Sequence, residues 1–183
     1  MKNLSSTRMF RLEIGSEDGY MSRIVIVYDS KSGNTEQMAK AVAEGTGAVK
    51  GTDVSLHKVG TRFPISLLDQ ADAIVLGSPS EYGNVTSEMR ALIESMIELK
   101  RAKKLLLRKK IGGVFGSYGW DGGWVTDKLG ETMKELGIRL VPPVVAAVDR
   151  MNSIDLRINT DSLQKCRELG KRIAEQLQAK KAI

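Results

Sequence analysis

A run of small and polar residues, Ser30-Lys31-Ser32-Gly33-Asn34-Thr35, has the composition of an anion-binding loop. It separates the apolar, β-branched run 24–28 from a stretch in which Thr35, Met38 and Val42 recur at helical spacing. A strand that turns directly into a helix exposes unpaired N–H groups, and the helix dipole adds partial positive charge there. Hydroxyl groups and a glycine would complete a phosphate cradle. The alternative is an ordinary helix cap, because Ser, Asn and Thr favour that position anyway.

Two other phosphate-binding motifs are excluded. A Walker A loop needs Lys and then Ser or Thr after its last glycine, whereas Gly33 is followed by Asn34. A Rossmann fingerprint places its glycines directly after the strand. Gly45 and Gly47 lie instead at the far end of the first helical pattern, where we expect them to end the helix.

Two further polar, glycine-rich loops follow apolar runs. Residues 78–84 follow the run 73–77, and residues 116–123 follow the run 111–115. These loops carry Tyr82, Tyr118 and Trp120 among glycines that leave backbone amides accessible. In a parallel sheet of order 2-1-3-4-5 the first, third and fourth strands end beside one another, so the three loops converge. A phosphate site beside aromatic faces describes a mononucleotide whose base is a large flat ring.

The rest of the chain alternates strand and helix patterns. We expect strands at 52–57 and 138–148, the latter interrupted by Pro142-Pro143, and a short helix or turn at 62–70. Apolar residues at helical spacing predict helices around 89–96, 125–136 and 160–178. Five strands alternating with helices predict an α/β fold, a doubly wound five-stranded parallel sheet in the order 2-1-3-4-5 with helices on both faces.

Length and composition restrict the class of protein. The 183 residues suit one domain, which we place at 21–183, with residues 1–20 as an N-terminal extension whose charges interrupt any signal-peptide core. The single cysteine, Cys166, excludes an internal disulfide and fits a reducing compartment, so we expect a cytoplasmic protein. No apolar run approaches the roughly 18–20 residues that span a bilayer, and we expect no membrane insertion.

The three loops resemble those of the flavodoxin family. The first is similar to the loop that holds the FMN phosphate, and Phe115-Gly116-Ser117-Tyr118-Gly119-Trp120 resembles the flavin-contacting stretch in the flavodoxin domains of flavodiiron proteins. Gly77-Ser78-Pro79 with Gly83-Asn84 is similar to those domains and to NAD(P)H:quinone oxidoreductases of the WrbA type. The resemblance extends from about Arg23 to the end of the chain. It implies a flavodoxin-like fold and FMN as the cofactor.

The resemblance also implies a role for each loop. The first would hold the phosphate, and the loops after the third and fourth strands would line the two sides of the isoalloxazine ring. In flavodoxins a backbone carbonyl of the third-strand loop turns toward flavin N5 when that atom is protonated, and Gly83 is the candidate that permits this turn. The predicted cofactor-binding residues are Ser30, Lys31, Ser32, Gly33, Asn34, Thr35, Pro79, Ser80, Glu81, Tyr82, Gly83, Asn84, Ser117, Tyr118, Gly119, Trp120, Asp121, Gly122 and Gly123.

The function that the resemblance implies is electron transfer. A flavodoxin-type carrier shuttles low-potential electrons between redox proteins such as ferredoxins or other iron–sulfur or flavin proteins, has no catalytic residues, and is a monomer or a homodimer. The alternative is an FMN-dependent NAD(P)H:quinone or flavin reductase of the WrbA type. Those proteins usually carry a longer insertion and a histidine near the flavin, and neither is found in this chain. A receiver-type signalling domain is a weaker alternative, because the third strand ends without a phospho-acceptor Asp.

The charge balance departs from the acidic character of familiar flavodoxins. The chain is formally +6, and seven cations lie within the eleven residues 100–110, here called the basic cluster. It is interpreted either as a solvated loop with Leu105-Leu106-Leu107 packed on the core, or as a steering surface for an acidic redox partner. We expect no nucleic-acid partner, because no recognised binding module accompanies the charge.

Four single residues have simple alternative interpretations. Glu81 and Asp121 would lower the potential of a bound flavin if they face it, or point to solvent as charged loop residues commonly do. His57 lies away from the three loops and lacks partner ligands, so we expect no metal site. Cys166 falls on an apolar helical stripe and is interpreted as a small buried hydrophobe.

Overall fold

The computed structural model describes residues 21–60, 63–148 and 158–181. The proposed extension 1–20 and part of the predicted segment 62–70 lie outside these residues. In chain order the elements are β1 (Ser22–Tyr28), α1 (Asn34–Gly47), β2 (Thr52–Lys58), α2 (Leu67–Gln70), β3 (Ala73–Pro79), α3 (Ser87–Arg101), β4 (Ile111–Tyr118), α4 (Trp124–Leu136), β5 (Arg139–Leu140), β6 (Val145–Val148) and α5 (Thr160–Lys181).

The strands form a parallel sheet in the order β2-β1-β3-β4-β5, with β6 also paired to β4. The predicted fold class and strand order are confirmed. β3 and β4 run further than the apolar runs indicated, because Ser78 pairs with Gly116 and Pro79 with Ser117. The third- and fourth-strand loops therefore leave the sheet from adjacent backbone positions.

The interruption predicted at Pro142-Pro143 in the strand 138–148 is present, and it separates two short strands. The structure divides the predicted strand into β5, which pairs with the start of β4, and β6, which pairs with the end of β4. Pro142 and Pro143 lie between the two pieces. A proline has no N–H to donate to the ladder, so the pairing stops there and resumes at Val145.

Each face of the sheet carries its own apolar core. Along β1, Ile24 and Ile26 face α1 and α5, whereas Val25 and Val27 face α3 and α4. This two-sided burial explains why the inner strands appear in the sequence as continuous apolar runs. Cys166 is fully buried in the first core, where desolvation raises the pKa of its thiol to about 12, so its interpretation as a small hydrophobe is confirmed.

Helices α1 and α5 approach closely through two glycines. A Cβ at Gly45 would lie 1.9 Å from the Arg167 carbonyl oxygen, and one at Gly170 would lie 2.0 Å from the Val42 carbonyl oxygen. Gly45 therefore lies inside α1 as a packing residue and does not end the helix, contrary to the sequence-based expectation. Gly47, the last residue of α1, has open space around it.

Replacing Gly45 with Ala tests this contact. The new methyl group must push two helix backbones apart, so we expect Gly45→Ala to lower the free energy of unfolding by about 3 kcal/mol. Gly47→Ala is the matched control, and we expect it to be neutral or stabilising by about 0.5–1 kcal/mol. Urea unfolding followed by circular dichroism measures both. Equal effects of the two substitutions would contradict the close approach.

Candidate functional site

The first loop connects β1 to α1 through a tight backbone turn. Gly33 precedes the helix with φ of 92°, a value that strongly favours glycine. Ser30 is buried, and its Oγ accepts hydrogen bonds from the N–H groups of Gly33 and Glu36, both at 3.2 Å. Its hydroxyl keeps an O–H to donate. Ser32 and Lys31 are exposed at the same turn. The loop thus combines an internally braced backbone with outward-facing donors.

Asp29 is a site residue that the sequence analysis missed. Its side chain is 5 % exposed, and its Oδ1 accepts from the Ser30 N–H at 2.7 Å. Its Oδ2 is buried and has no hydrogen-bond partner among the described residues. A buried acceptor of this kind is costly unless a donor reaches it. The signal in the sequence was a carboxylate placed directly between an apolar strand and a polar loop.

The third-strand loop makes a narrow turn at residues 81–84. The N–H of Glu81 donates to the Asn84 carbonyl at 2.9 Å, and the Asn84 N–H donates back to the Glu81 carbonyl at 3.0 Å. Tyr82 and Gly83 between them have φ of 52° and 78°, the pattern of a type I′ turn. The positive φ expected at Gly83 is present, and Tyr82 shares it although it is not a glycine. The Tyr82 side chain is 95 % exposed.

Asp121, in the fourth-strand loop, points inward and is 8 % exposed. The interpretation that it points to solvent is therefore wrong. Its Oδ2 accepts from the Ser80 hydroxyl and, at 3.1 Å, from the Gly83 N–H, and its Oδ1 accepts from the Gly123 N–H at 3.1 Å. One carboxylate thus joins the two loops predicted to line the ring.

Large aromatic side chains around these loops are exposed to solvent. Trp120 is 80 % exposed and Trp124 is 62 % exposed. Trp124, the first residue of α4, was not predicted as a site residue because it lies between the predicted loop, which ends at Gly123, and the predicted helix, which begins at Val125. A Cβ on Gly83 would lie 3.0 Å from the Trp124 Cε3 atom, so the tryptophan packs beside the turn. The loops after β3 and β4 therefore carry an exposed aromatic surface.

The three loops are joined in pairs. A hydroxyl pair at 2.9 Å links Thr35 to Ser117, and an ion pair links Lys31 to Glu81. The hydrogen bond to Glu81 raises the pKa of the Lys31 amine. Asp121 provides the third link. The structure therefore brings the predicted residues together at one edge of the sheet, as the sequence predicted.

The predicted residues differ in how far they face outward. The structure buries Ser30, Asn34, Thr35, Gly83, Ser117, Asp121 and Gly123, half-buries Gly33, Pro79, Ser80, Glu81, Asn84 and Tyr118, and exposes Lys31, Ser32, Tyr82, Gly119, Trp120 and Gly122. The buried group braces the loops. The exposed group is available to a ligand.

Two other sequence features lie elsewhere. His57, on β2, packs its ring 5.0 Å from Phe63, and burial lowers the pKa of its imidazole. Within the described residues no cluster of histidine, cysteine or carboxylate side chains has the grouping of a metal site. The basic cluster precedes β4 at the amino edge of the sheet, opposite the three loops. Neither feature contributes to the site.

Comparison with known proteins identifies the family. A family model described as flavodoxin matches residues 26–170, which include all three loops. The chain belongs to the flavodoxin family. A solved structure entitled "Structure of a flavodoxin from the domain Archaea" is 29 % identical, covers 85 % of this chain and 99 % of its own, and has a TM-score of 0.69. Family membership implies that this flavodoxin-like protein binds a flavin.

Two curated relatives extend the comparison. A type A flavoprotein of Rhodobacter capsulatus is 28 % identical over 96 % of this chain and 38 % of its own length. An NAD(P)H dehydrogenase (quinone) of Chromohalobacter salexigens is 34 % identical over 53 % of this chain and 57 % of its own length. The chain spans 36–38 % of the length of the first three curated relatives it matches. None of the helices in the described ranges of this flavodoxin-like chain is long and apolar enough to cross a membrane.

Replacing Ser30 tests whether its hydroxyl braces the first loop. Ser30→Ala removes the acceptor of two N–H groups, so we expect a loss of about 1–2 kcal/mol in the free energy of unfolding of cofactor-free protein. Ser32→Ala removes an exposed hydroxyl of the same loop, and we expect a change within about 0.5 kcal/mol. Urea unfolding distinguishes them. If Ser32→Ala lowered the free energy of unfolding as much as Ser30→Ala, the specific role of the Ser30 hydroxyl in stabilising the loop would be contradicted.

Proposed function

We propose that this protein binds FMN at the three joined loops and acts as an electron carrier between redox proteins. The observation that carries the proposal is the pairwise connection of a phosphate-type loop with two loops bearing exposed aromatic side chains. A ligand with an anionic end and a flat ring matches this arrangement.

The first loop has the chemistry of a phosphate site. The start of α1 presents backbone N–H groups at the positive end of a 14-residue helix. The exposed hydroxyl of Ser32 and the amine of Lys31 lie at the same turn. Lys31 forms an ion pair with Glu81, so its positive charge is partly neutralised before any phosphate binds. The N–H groups and hydroxyls are therefore the principal phosphate donors.

The Oδ2 of Asp29, which has no hydrogen-bond partner in the described part of the chain, suits the linker of FMN rather than its phosphate. A carboxylate accepts hydrogen bonds and repels another anion, so the suitable partner for this oxygen atom is a hydroxyl or amide donor. FMN carries a chain of hydroxyl groups between its phosphate and its ring. We propose that one of these hydroxyls donates to Asp29.

The aromatic loops fit the ring. Tyr82, Trp120 and Trp124 offer flat apolar faces that are largely exposed. Stacking on a ring would remove this apolar surface from water, a favourable change of about 25 cal/mol per Å². FMN supplies the electron chemistry when bound. The chain orients the cofactor, and the carboxylates of Glu81 and Asp121 would disfavour additional negative charge on it.

The competing function is an FMN-dependent NAD(P)H:quinone or flavin reductase. The observation that favours it is the relative named NAD(P)H dehydrogenase (quinone), which matches at 34 % identity over 117 residues. That match covers 53 % of this chain, whereas the family model spans residues 26–170. The sequence resemblance in the fourth-strand loop favours the carrier.

Visible spectroscopy of the purified protein tests both functions. We expect one FMN bound per chain, a yellow protein, no rapid bleaching by NADH or NADPH without oxygen, and reduction by a reduced ferredoxin. Rapid stoichiometric bleaching by a pyridine nucleotide would contradict the carrier function and support the reductase function. A protein that stays colourless with excess FMN would refute both.

We propose further that an acidic redox partner docks at the edge of the sheet that carries the three loops, here called the cofactor edge, and not at the basic cluster. The cluster precedes Ile111, and β4 separates it from the cofactor edge by about 23 Å at roughly 3.3 Å per residue. At physiological salt the Debye length is about 8 Å, so charges this far apart are largely screened. Three of the seven cations also make local contacts, because Lys100 and Arg101 reach Glu135, and Lys110 reaches the Asp69 and Ala71 carbonyls.

Two single charge reversals test where the partner docks. Lys104→Glu changes the basic cluster, and Lys58→Glu changes the carboxyl end of β2 on the cofactor edge. We expect Lys104→Glu to leave the rate of reduction by reduced ferredoxin within about twofold near 0.15 M salt, and Lys58→Glu to slow it several-fold. Stopped-flow absorbance measures the rates. The reverse ranking would place the docking surface at the basic cluster.

A further inference from the structure

The carboxylate of Asp121 is the most heavily bonded group at the site. It accepts from the Ser80 hydroxyl, the Gly83 N–H and the Gly123 N–H, and it is 8 % exposed. Its partners come from both loops that carry the exposed aromatic side chains. A buried carboxylate is stable only when such donors surround it, so the loops and the carboxylate hold one another in place.

The bond to Gly83 fixes one particular peptide. The Gly83 N–H belongs to the Tyr82–Gly83 peptide at the centre of the type I′ turn. In a trans peptide the carbonyl points opposite to the N–H, so the Tyr82 carbonyl is held away from Asp121. The φ of 52° at Tyr82 is unusual for a residue with a side chain, and the turn keeps it because its central N–H is bound.

We propose that Asp121 is a positioning residue for the cofactor, because its carboxylate fixes the orientation of the Tyr82–Gly83 peptide and the spacing of the two aromatic loops before the cofactor binds. The identity of that cofactor rests on the proposed function. The role goes beyond the bare negative charge of Asp121, because it depends on where the two carboxylate oxygens lie.

Two substitutions separate charge from position. Asp121→Glu keeps the charge but moves the oxygens by one methylene, so the three bonds cannot all form. Asp121→Asn keeps the shape but replaces one acceptor oxygen by a donor NH₂ group, so its remaining oxygen can take the place of Oδ1 or Oδ2 but not both, and the Gly83 and Gly123 N–H groups cannot both keep their bonds. Asp127→Asn is the matched control, because it removes a carboxylate six residues along the chain, at an exposed position of α4.

Hydrogen exchange of individual amides is the direct measurement. NMR on the cofactor-free protein gives the exchange rates of the Gly83 and Gly123 N–H groups. We expect Asp121→Glu to exchange the Gly83 amide, and Asp121→Asn to exchange at least one of the Gly83 and Gly123 amides, about 10- to 100-fold faster than wild type, the factor for losing a hydrogen bond to a charged group. Asp127→Asn should leave the rate unchanged.

Cofactor binding by the same variants is the second measurement. We expect the FMN dissociation constant to rise about tenfold or more in both Asp121 variants, and the midpoint potentials to move even in Asp121→Glu, where the charge is kept. One result would overturn the proposal in favour of a pure charge effect. In that result Asp121→Glu keeps the wild-type exchange rates, FMN affinity and midpoint potentials, and only Asp121→Asn changes the potential. Faster Gly83 exchange in a protein whose wild type binds no FMN would retain the loop-holding role and refute the proposed function instead.

Discussion

The side-by-side ends of β3 and β4 are the constraint on which the site depends. Pairing continues through Pro79 and Ser117, and the Ser80 N–H still donates to the Ser117 carbonyl at 2.7 Å. The two loops therefore begin from adjacent, rigid backbone positions. A carboxylate in one loop can then reach an amide in the other, as Asp121 reaches Gly83. The same parallel arrangement places the first loop beside them, where Thr35 meets Ser117.

The features visible in the sequence were those with a local cause. The strands with two buried faces appear as apolar runs, and the loops appear as glycine-rich segments that interrupt them. With the strand order 2-1-3-4-5 that is common in doubly wound sheets, these two signals predict the convergence of the loops. The split of the fifth strand had a signal in Pro142-Pro143, but the sequence did not show that pairing with β4 would end after the bond from the Val141 N–H to the Gly112 carbonyl and resume only at Val145.

The features that the sequence concealed depend on contacts between distant residues. Asp121 meets Ser80 and Gly83 across separations of 41 and 38 residues, so its burial could not be inferred from its own polar surroundings. Gly45 has the composition of a helix end but packs against α5, more than a hundred residues away. Asp29 follows β1 directly and Trp124 begins α4, so both lie just outside the patterns that defined the predicted strand, helix and loops.

The two acidic residues of the outer loops illustrate why burial decides function here. Glu81 forms its ion pair with Lys31 at the surface, where both side chains remain partly in water and such pairs contribute about 0–1 kcal/mol. Asp121 is nearly out of water, so its bonds to Ser80, Gly83 and Gly123 are made where the dielectric is low and an unmade bond is costly. Two carboxylates that look equivalent in the sequence are therefore unequal, and only the buried one can hold the turn in a fixed conformation.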